Sequence, residues 1–482
     1  MEILARRTTR ARGRSLTSRA RSNARPVVVF AERVDATPAR MTVVAVCGAP
    51  PVESSRTSRR PRAMPASPGS TLAIAPGLDV TTPHHRALAR AMTTRARLWT
   101  EMAHHDCVTR MCSSTMTRSE TNVTAQVGGS RPSGLARAAE ILESEYGYDE
   151  VNLNCGCPSE RVCRKEDETS SFGAAMMLNV ENTAECVRRM AEAVDATKIT
   201  VKHRLGVRFD KTMTVEEETD SYEHAVKFIE AIKDAAGVDH FIVHARSAVM
   251  GGLSPDANRK IPPLRYDEVF ALCDEFGKCD FTLNGGVETL EQAKGLLERE
   301  DGKLAGVMMG RAFYKHPCML ADIDRVIFGE PTADPPPTRR SLVKMYGDYG
   351  DSVFAGLGSD VHYKVRKSMA RRLFKAVSAI SYGTSTGSRA FHREADNHLL
   401  KRHYDDYPAN PEDDRPWSVN FREFVEGIID EEYLDDPLVN VNPEGDNTRP
   451  LARKFVRALK LKDANEKLKD SNAETAIGKD GE

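Results

Sequence analysis

The sequence predicts an α/β protein: a (β/α)8 barrel of the TIM type, followed by a smaller helical domain. Three observations carry this. About eight short apolar, β-branched runs alternate with amphipathic stretches from residue 71 onward, the pattern of parallel strands joined by crossover helices. Each run ends in a polar or turn residue, as expected where the strand ends of a barrel surround one mouth. A proline-rich break at 331–337 then opens a basic segment that reads as helical.

In order, the predicted strands are 71–75, 97–102, 121–127, 150–154, 197–202, 239–244, 280–284 and 305–309. The predicted helices between them include 133–146, 182–196, 222–235, 266–276 and 289–300. The stretch after the second strand is long and shows no clear helix. The residues closing the eight runs are Pro76, Glu101, Gln126, Asn154, Lys202, His244, Asn284 and Gly310. Some are expected only to cap the helix that follows.

The chain has 482 residues, is 29% charged and carries a formal net charge of -1. That length suits a barrel plus a smaller domain. No apolar run is long enough for a membrane-spanning helix. The near-neutral total hides an arginine-rich, serine-rich, acid-poor start over residues 1–66. Such a stretch buries little apolar surface and is expected not to fold alone. Its composition is that of a plastid or mitochondrial transit peptide; a disordered basic arm or a misassigned start of a cytoplasmic protein is the alternative. The domain reading is therefore 1–66 leader, 67–330 catalytic barrel, 336–432 helical domain and 433–482 charged tail. Ten cysteines follow no small-domain disulfide pattern, so reduced thiols are expected. Cys155, Cys157 and Cys163 lack the paired spacing of a zinc site, and no metal is expected.

Asn284-Gly285-Gly286 and Gly310-Arg311 close the last two units. Glycines there let backbone N–H groups approach a phosphate, and barrels often bind phosphate on these loops. Arg311 adds a fixed charge. A cofactor with that phosphate needs a site for its ring. Lys202, His244 and Gln126 end strands around the same mouth, and lysine is rarely buried without a partner. The run Asn154-Cys155-Gly156-Cys157-Pro158 presents Cys157 on a shaped loop. Its thiol can act as nucleophile or proton donor, or can simply pack as a small hydrophobe.

These motifs occur in order with Phe172-Gly173-Ala174, Val201-Lys202-His203-Arg204, His244-Ala245-Arg246, Gly252-Leu253-Ser254-Pro255, Asn258-Arg259 and Ile261-Pro262-Pro263-Leu264. Together they resemble the tRNA-dihydrouridine synthases, in the branch similar to bacterial dihydrouridine synthase A. The resemblance runs from Leu72 to Gly329 and continues more faintly to Arg402. It implies FMN at the barrel mouth, NADPH as reductant, and a uracil ring of tRNA as substrate, at positions 20 and 20a of the D-loop. A loop cysteine of the family protonates the base, and Cys157 matches it. Pro76, with Gly77 and Leu78 beside it, and Gln126, Lys202, His244, Asn284, Gly285, Gly286, Gly310 and Arg311 match the flavin positions. Asn154 and Arg246 are the expected contacts to the base. No obligate protein partner is evident.

The basic segment 336–402, with Arg339, Arg340, Lys344, Arg371 and Arg372 among its cations, matches a helical RNA-binding domain; on charge alone it is equally a solvated face. Gly77 stands where the family usually has Met, Ser247 where Lys is common, and 163–171 and 208–218 are longer than usual. Two other readings remain: a flavin barrel acting on a small molecule, which needs no basic appendage, and a silent RNA-binding barrel, which needs neither Cys157 nor Lys202.

Overall fold

The computed structural model describes residues 71–111, 113–118, 120–163, 171–299, 304–315, 317–331 and 336–357. Short pieces at 28–29, 44–45, 369, 372–373, 416–419, 421–422, 434–435 and 438 are also described. Among these residues, eight parallel strands form one closed sheet: β1 Thr71–Ile74, β2 Leu98–Trp99, β3 Val123–Gly128, β4 Glu150–Cys155, β5 Lys198–Arg204, β6 His240–His244, β7 Asp280–Asn284 and β8 Gly306–Met309. Each pairs with its sequence neighbours, and β8 pairs with β1. Closure comes between β1 and β2, where Ile74 N donates to Arg97 O and Arg97 N donates to Leu72 O, both at 2.9 Å. The predicted barrel is the observed one.

The period of two along each strand sorts the side chains. Leu153 and Cys155 of β4, Val201 and His203 of β5, Phe241 and Val243 of β6 and Leu283 of β7 are fully buried; all but His203 belong to the large cluster under the helices. The alternate residues face the barrel interior. Ala73, Ala75, Trp99, Ile242 and Met308 form a separate small apolar cluster. The interior beside it is polar, with Gln126, Asn152 and Thr200 joined by hydrogen bonds in one run and Lys202 with Asn284 in another. The outside of the barrel supplies the apolar burial, and the inside is free to carry chemistry.

The crossover helices are α1 Pro83–Arg90, α2 His105–Thr109, α3 Pro132–Ile141, α4 Val180–Glu192, α5 Tyr222–Ala236, α6 Tyr266–Glu275, α7 Leu290–Leu297 and α8 Arg311–Lys315. Their starts are legible in the chain. Thr82, Asn179 and Ser221 accept from the backbone three residues on, and Thr289 with Gln292 forms a capping box before α7. Two expectations change. The second predicted strand, 97–102, shortens to β2, and beyond it an unpredicted pair at Ala103–His104 bonds to Val127–Gly128 and leads into the one-turn α2. The helix predicted over 133–146 ends as a π-turn, Leu142–Tyr146, stopped by left-handed Gly147.

The 208–218 insertion is an ordered turn. Asp210 accepts from Thr212 N, Thr214 N and Val215 N, and Glu217 from Phe209 N and Asp210 N. After the short α9, Ile323–Val326, comes α10, Arg339–Leu357, which docks on the barrel through His84 Nδ1 and Tyr349 OH, 3.0 Å apart. Burial holds His84 down near pKa 4, so its imidazole is neutral in this contact. Trp417 and Phe421 stack at 4.6 Å against Tyr346 of α10. Leu434 and Leu438 are buried here too, and Arg340 pairs with Asp435 at 2.7 Å, so the packed unit extends past residue 432. Of the basic segment, Arg339 is buried and Arg340 is paired, while Lys344 is exposed. The cations from Lys364 to Lys367 and from Arg389 to Arg402 lie outside the described residues. So do most of 1–66, where only the pairing of Val28–Val29 with Val44–Ala45 is described, and most of the tail.

Candidate active site at the barrel mouth

Cys157 lies one turn beyond β4 on a loop held by the barrel interior. Asn154 Oδ1 accepts from Gly156 N (3.1 Å) and Cys157 N (3.0 Å). Asn154 Nδ2 donates to Gln126 Oε1 (2.9 Å), Gln126 Nε2 to Asn152 Oδ1 (3.0 Å), and Asn152 Nδ2 to Thr200 Oγ1 (2.9 Å). Thr200 Oγ1 donates to Glu150 Oε1 (2.8 Å), whose other oxygen faces Arg97 at 3.0 Å. Backbone N–H groups anchor one end of this chain and a carboxylate the other. Every donor therefore points the same way, which fixes the orientation of all three amides. A chain of this kind strengthens its members cooperatively.

Two further contacts hold the loop. Ala174 N donates to Cys157 O at 2.9 Å, and Gly173, at φ +68°, lets the chain pass so close that a Cβ there would lie 2.6 Å from that same oxygen. Arg204, 3% exposed, donates through Nε to Gly156 O (3.1 Å) and through Nη1 to Ser247 O (2.9 Å) and Asn258 O (3.0 Å). It ties the Cys157 loop to the loop after β6. Burial, helped by Arg259 and Arg246 and opposed by Cys157, lowers its pKa to about 9. The sequence motif alone assigns Arg204 no role, although the alternation that turns Thr200 and Lys202 inward continues to it.

Lys202 Nζ donates to Asn284 Oδ1 (3.1 Å), and Asn284 Nδ2 donates to Met308 O (2.8 Å). Burial, with Arg204 adding repulsion, brings the Lys202 ammonium down to about 7. His244, on the next strand, is held well below the ordinary histidine range by burial and then by Arg204, Lys202, Arg246 and Arg259. Gly285 (φ +113°) begins the cradle predicted for phosphate: a Cβ there would sit 2.6 Å from His244 Cδ2. Arg311 Nη2 donates to Arg259 O (3.2 Å), and Arg246 Nη1 donates to Pro262 O. Arg246 Nε and Arg259 Nε are buried without a hydrogen-bond partner. Unmet guanidinium donors beside a glycine turn are what a phosphate dianion satisfies. The residues present fit the phosphate end of FMN.

The first loop forms another wall. Gly77 N donates to Thr81 Oγ1 (3.1 Å), Asp79 N to Glu101 Oε1 (2.5 Å), and Leu78 stands 67% exposed between them. Arg86 sits under this loop and bonds Thr81 O, Thr115 O and Glu120. The structure thus gathers Cys157, Asn154, Gln126, Lys202, His244, Asn284, Gly285, Gly286, Gly310, Arg246 and Arg311 at one end of the barrel, with Pro76, Gly77 and Leu78 on the first loop of that end. Asn154 is placed as the organiser of the Cys157 loop, and Gln126 spends its amide on Asn152 and Asn154.

The family model described as dihydrouridine synthase matches residues 73–401. The chain belongs to the dihydrouridine synthase family. Similar proteins include the tRNA-dihydrouridine(20/20a) synthase of Shewanella oneidensis, 43% identical over 265 residues, which are 55% of this chain and 73% of that protein. Those of Salmonella typhimurium and Vibrio vulnificus are each 39% identical, over 274 residues (56% and 76%) and 275 residues (57% and 78%) respectively. Among solved structures, an old yellow enzyme homologue from Zymomonas mobilis aligns at a TM-score of 0.34 and 12% identity, over 55% of this chain and 90% of that one, too slight a likeness to carry an argument. The family match spans the barrel and α10 and runs on to residue 401, so every site residue lies within it.

Proposed function

We propose that the protein is a tRNA-dihydrouridine synthase that reduces the C5=C6 bond of uridine in the D-loop, at positions 20 and 20a, with FMN reduced by NADPH. The observation that carries this reading is one juxtaposition: a cysteine on a loop pinned by Asn154 and Arg204, facing a mouth lined by Lys202, Asn284 and unmet guanidinium donors. Gly285, Gly286, Gly310 and Arg311 would hold the phosphate. Lys202, His244 and Asn284 would lie along the ring, with Pro76, Gly77 and Leu78 closing one side.

When bound, the reduced flavin supplies the hydride that C6 of the uracil receives. The residues of the chain do the rest. Lys202 keeps a positive charge where negative charge collects on the ring system. Cys157 delivers the Sγ proton to C5, and Asn154 and Arg204 hold its loop so that the thiol meets the base from a fixed direction. The uracil must leave its stack to enter, so the pocket has to be deep and dry. Arg246 is the candidate contact to the flipped base or its phosphate. Lys344 on α10 and the cations of the segment beyond it would meet the RNA backbone. We place the protein in a plastid or mitochondrion on the composition of its first 66 residues alone, with the cytoplasm as the alternative.

The test uses protein beginning near residue 71, incubated with FMN, NADPH and unmodified tRNA. Dihydrouridine should form, and Cys157→Ala should keep its flavin spectrum while losing about 100-fold or more in rate. Full turnover in Cys157→Ala removes Cys157 from the reaction. A yellow protein that oxidises NADPH but leaves tRNA unchanged refutes the substrate and favours a small-molecule reductase.

A further inference from the structure

The Cys157 loop contains a second thiol with no part in the reaction proposed above. Cys163 is buried, and its Sγ lies 3.2 Å from Cys157 O and 3.2 Å from Phe172 O. The chain doubles back here: Cys163 N donates to Ser159 O (2.9 Å) and Phe172 N to Val162 O (3.0 Å), while Ala174 N reaches Cys157 O. The sulfur of Cys163 therefore meets the backbone of Cys157, whose side chain is half-buried, and the two thiols lie six residues apart on one doubled-back loop. Cys155, the third thiol nearby, is fully buried and points out of the barrel into the helix-facing core, away from both.

We propose that Cys157 and Cys163 are a modification site, pairing in a reversible disulfide that takes the proton donor out of the reaction. The consequence for activity rests on the role given to Cys157 above; the pairing itself does not. The chemistry is thiol–disulfide exchange with a disulfide donor from outside the chain. The Cys157 thiolate, the more accessible of the two, attacks one sulfur of the donor and expels the other as a thiolate, giving a mixed disulfide. Cys163 then loses its proton, attacks the Cys157 sulfur and expels the second donor thiolate. Two protein thiols are oxidised, one disulfide is reduced to two thiols, and two protons pass to water or to those thiols. The order follows from burial. Cys163 is pushed up to about 11 mainly by desolvation and, in smaller part, by the neighbouring Cys157 charge. That makes it a poor first nucleophile, and bonding at Cys157 removes the second cause.

The full chain, loaded with FMN, is incubated with oxidised glutathione, digested and mass-mapped, then returned to dithiothreitol. The expected product is a linked pair of peptides carrying Cys157 and Cys163, lighter by two hydrogens. Dihydrouridine formation should fall about 100-fold or more and recover on reduction. Cys163→Ser should match the unaltered protein before oxidation and, with oxidant, retain glutathione on Cys157. Glutathione retained on Cys157 of the unaltered protein, with no linked pair, overturns the inference while leaving the synthase reading intact. A linked protein that still forms dihydrouridine at full rate overturns the role of Cys157 and the control drawn from it.

Discussion

Replacing Asn154 with alanine tests whether the barrel interior positions the acid. The change removes the acceptor of Gly156 N and Cys157 N and the donor to Gln126, three hydrogen bonds at 2.9–3.1 Å. At about 1 kcal/mol each, the loop loses about 3 kcal/mol of preference for its reactive arrangement, or about 100-fold in the population holding the thiol correctly. Gly156 stays tied to Arg204 and Cys157 O to Ala174, so the fold and the flavin site should survive. The assay is single-turnover dihydrouridine formation by enzyme reduced beforehand, which separates the acid step from NADPH oxidation. The expected result is a rate lower by about two orders of magnitude, with flavin content and NADPH oxidation near normal. An unchanged single-turnover rate would refute positioning through Asn154. Loss confined to the KM for tRNA would return Asn154 to the role of a base contact.

Three other outcomes follow from the geometry. Gly285→Ala forces φ +113° on a residue with a Cβ and drives that Cβ to 2.6 Å from His244, so it should cost about 1–3 kcal/mol and empty the flavin site, read as lost absorbance near 450 nm; a fully yellow variant would contradict the phosphate cradle. Lys202 has a folded pKa near 7, below the ordinary lysine value, so its contribution to the stability of the flavin-free protein is full above that ordinary value and is lost as pH falls toward 7. An anion bound beside it raises the pKa again, so FMN binding at pH 8 should take up protons and weaken as pH rises. Calorimetry in buffers of different ionisation heat checks this, and proton release would refute it. Arg86→Met strips Glu120 of a partner 2.7 Å away and leaves Thr81 O and Thr115 O without their donor, and should lower stability in urea by about 3 kcal/mol; a change below 1 kcal/mol would show that the loops after β1 and β2 do not depend on it.

The sequence by itself determined the barrel, because a chain alternating between periods of 2 and 3.6 has few ways to bury both kinds of apolar face. It also placed Cys157, Lys202, Asn284 and Gly285 at strand ends, and barrel topology carries strand ends to one mouth whatever lies between them. Periodicity also reached the starts of the helices after Ser221 and Thr289, whose caps act on backbone only three residues away, whereas the helix capped by Thr82 was not expected. What only the tertiary structure decided are the partners. That Asn154 faces back to the Cys157 loop, that Gln126 and Asn152 carry its orientation down to Glu150, and that Arg204 bridges two loops depend on contacts between strands up to about 50 residues apart in the chain. A polar side chain on the inner face of a strand is legible from alternation. Which neighbour takes its hydrogen bond is set by the register of strands that meet only after the barrel closes.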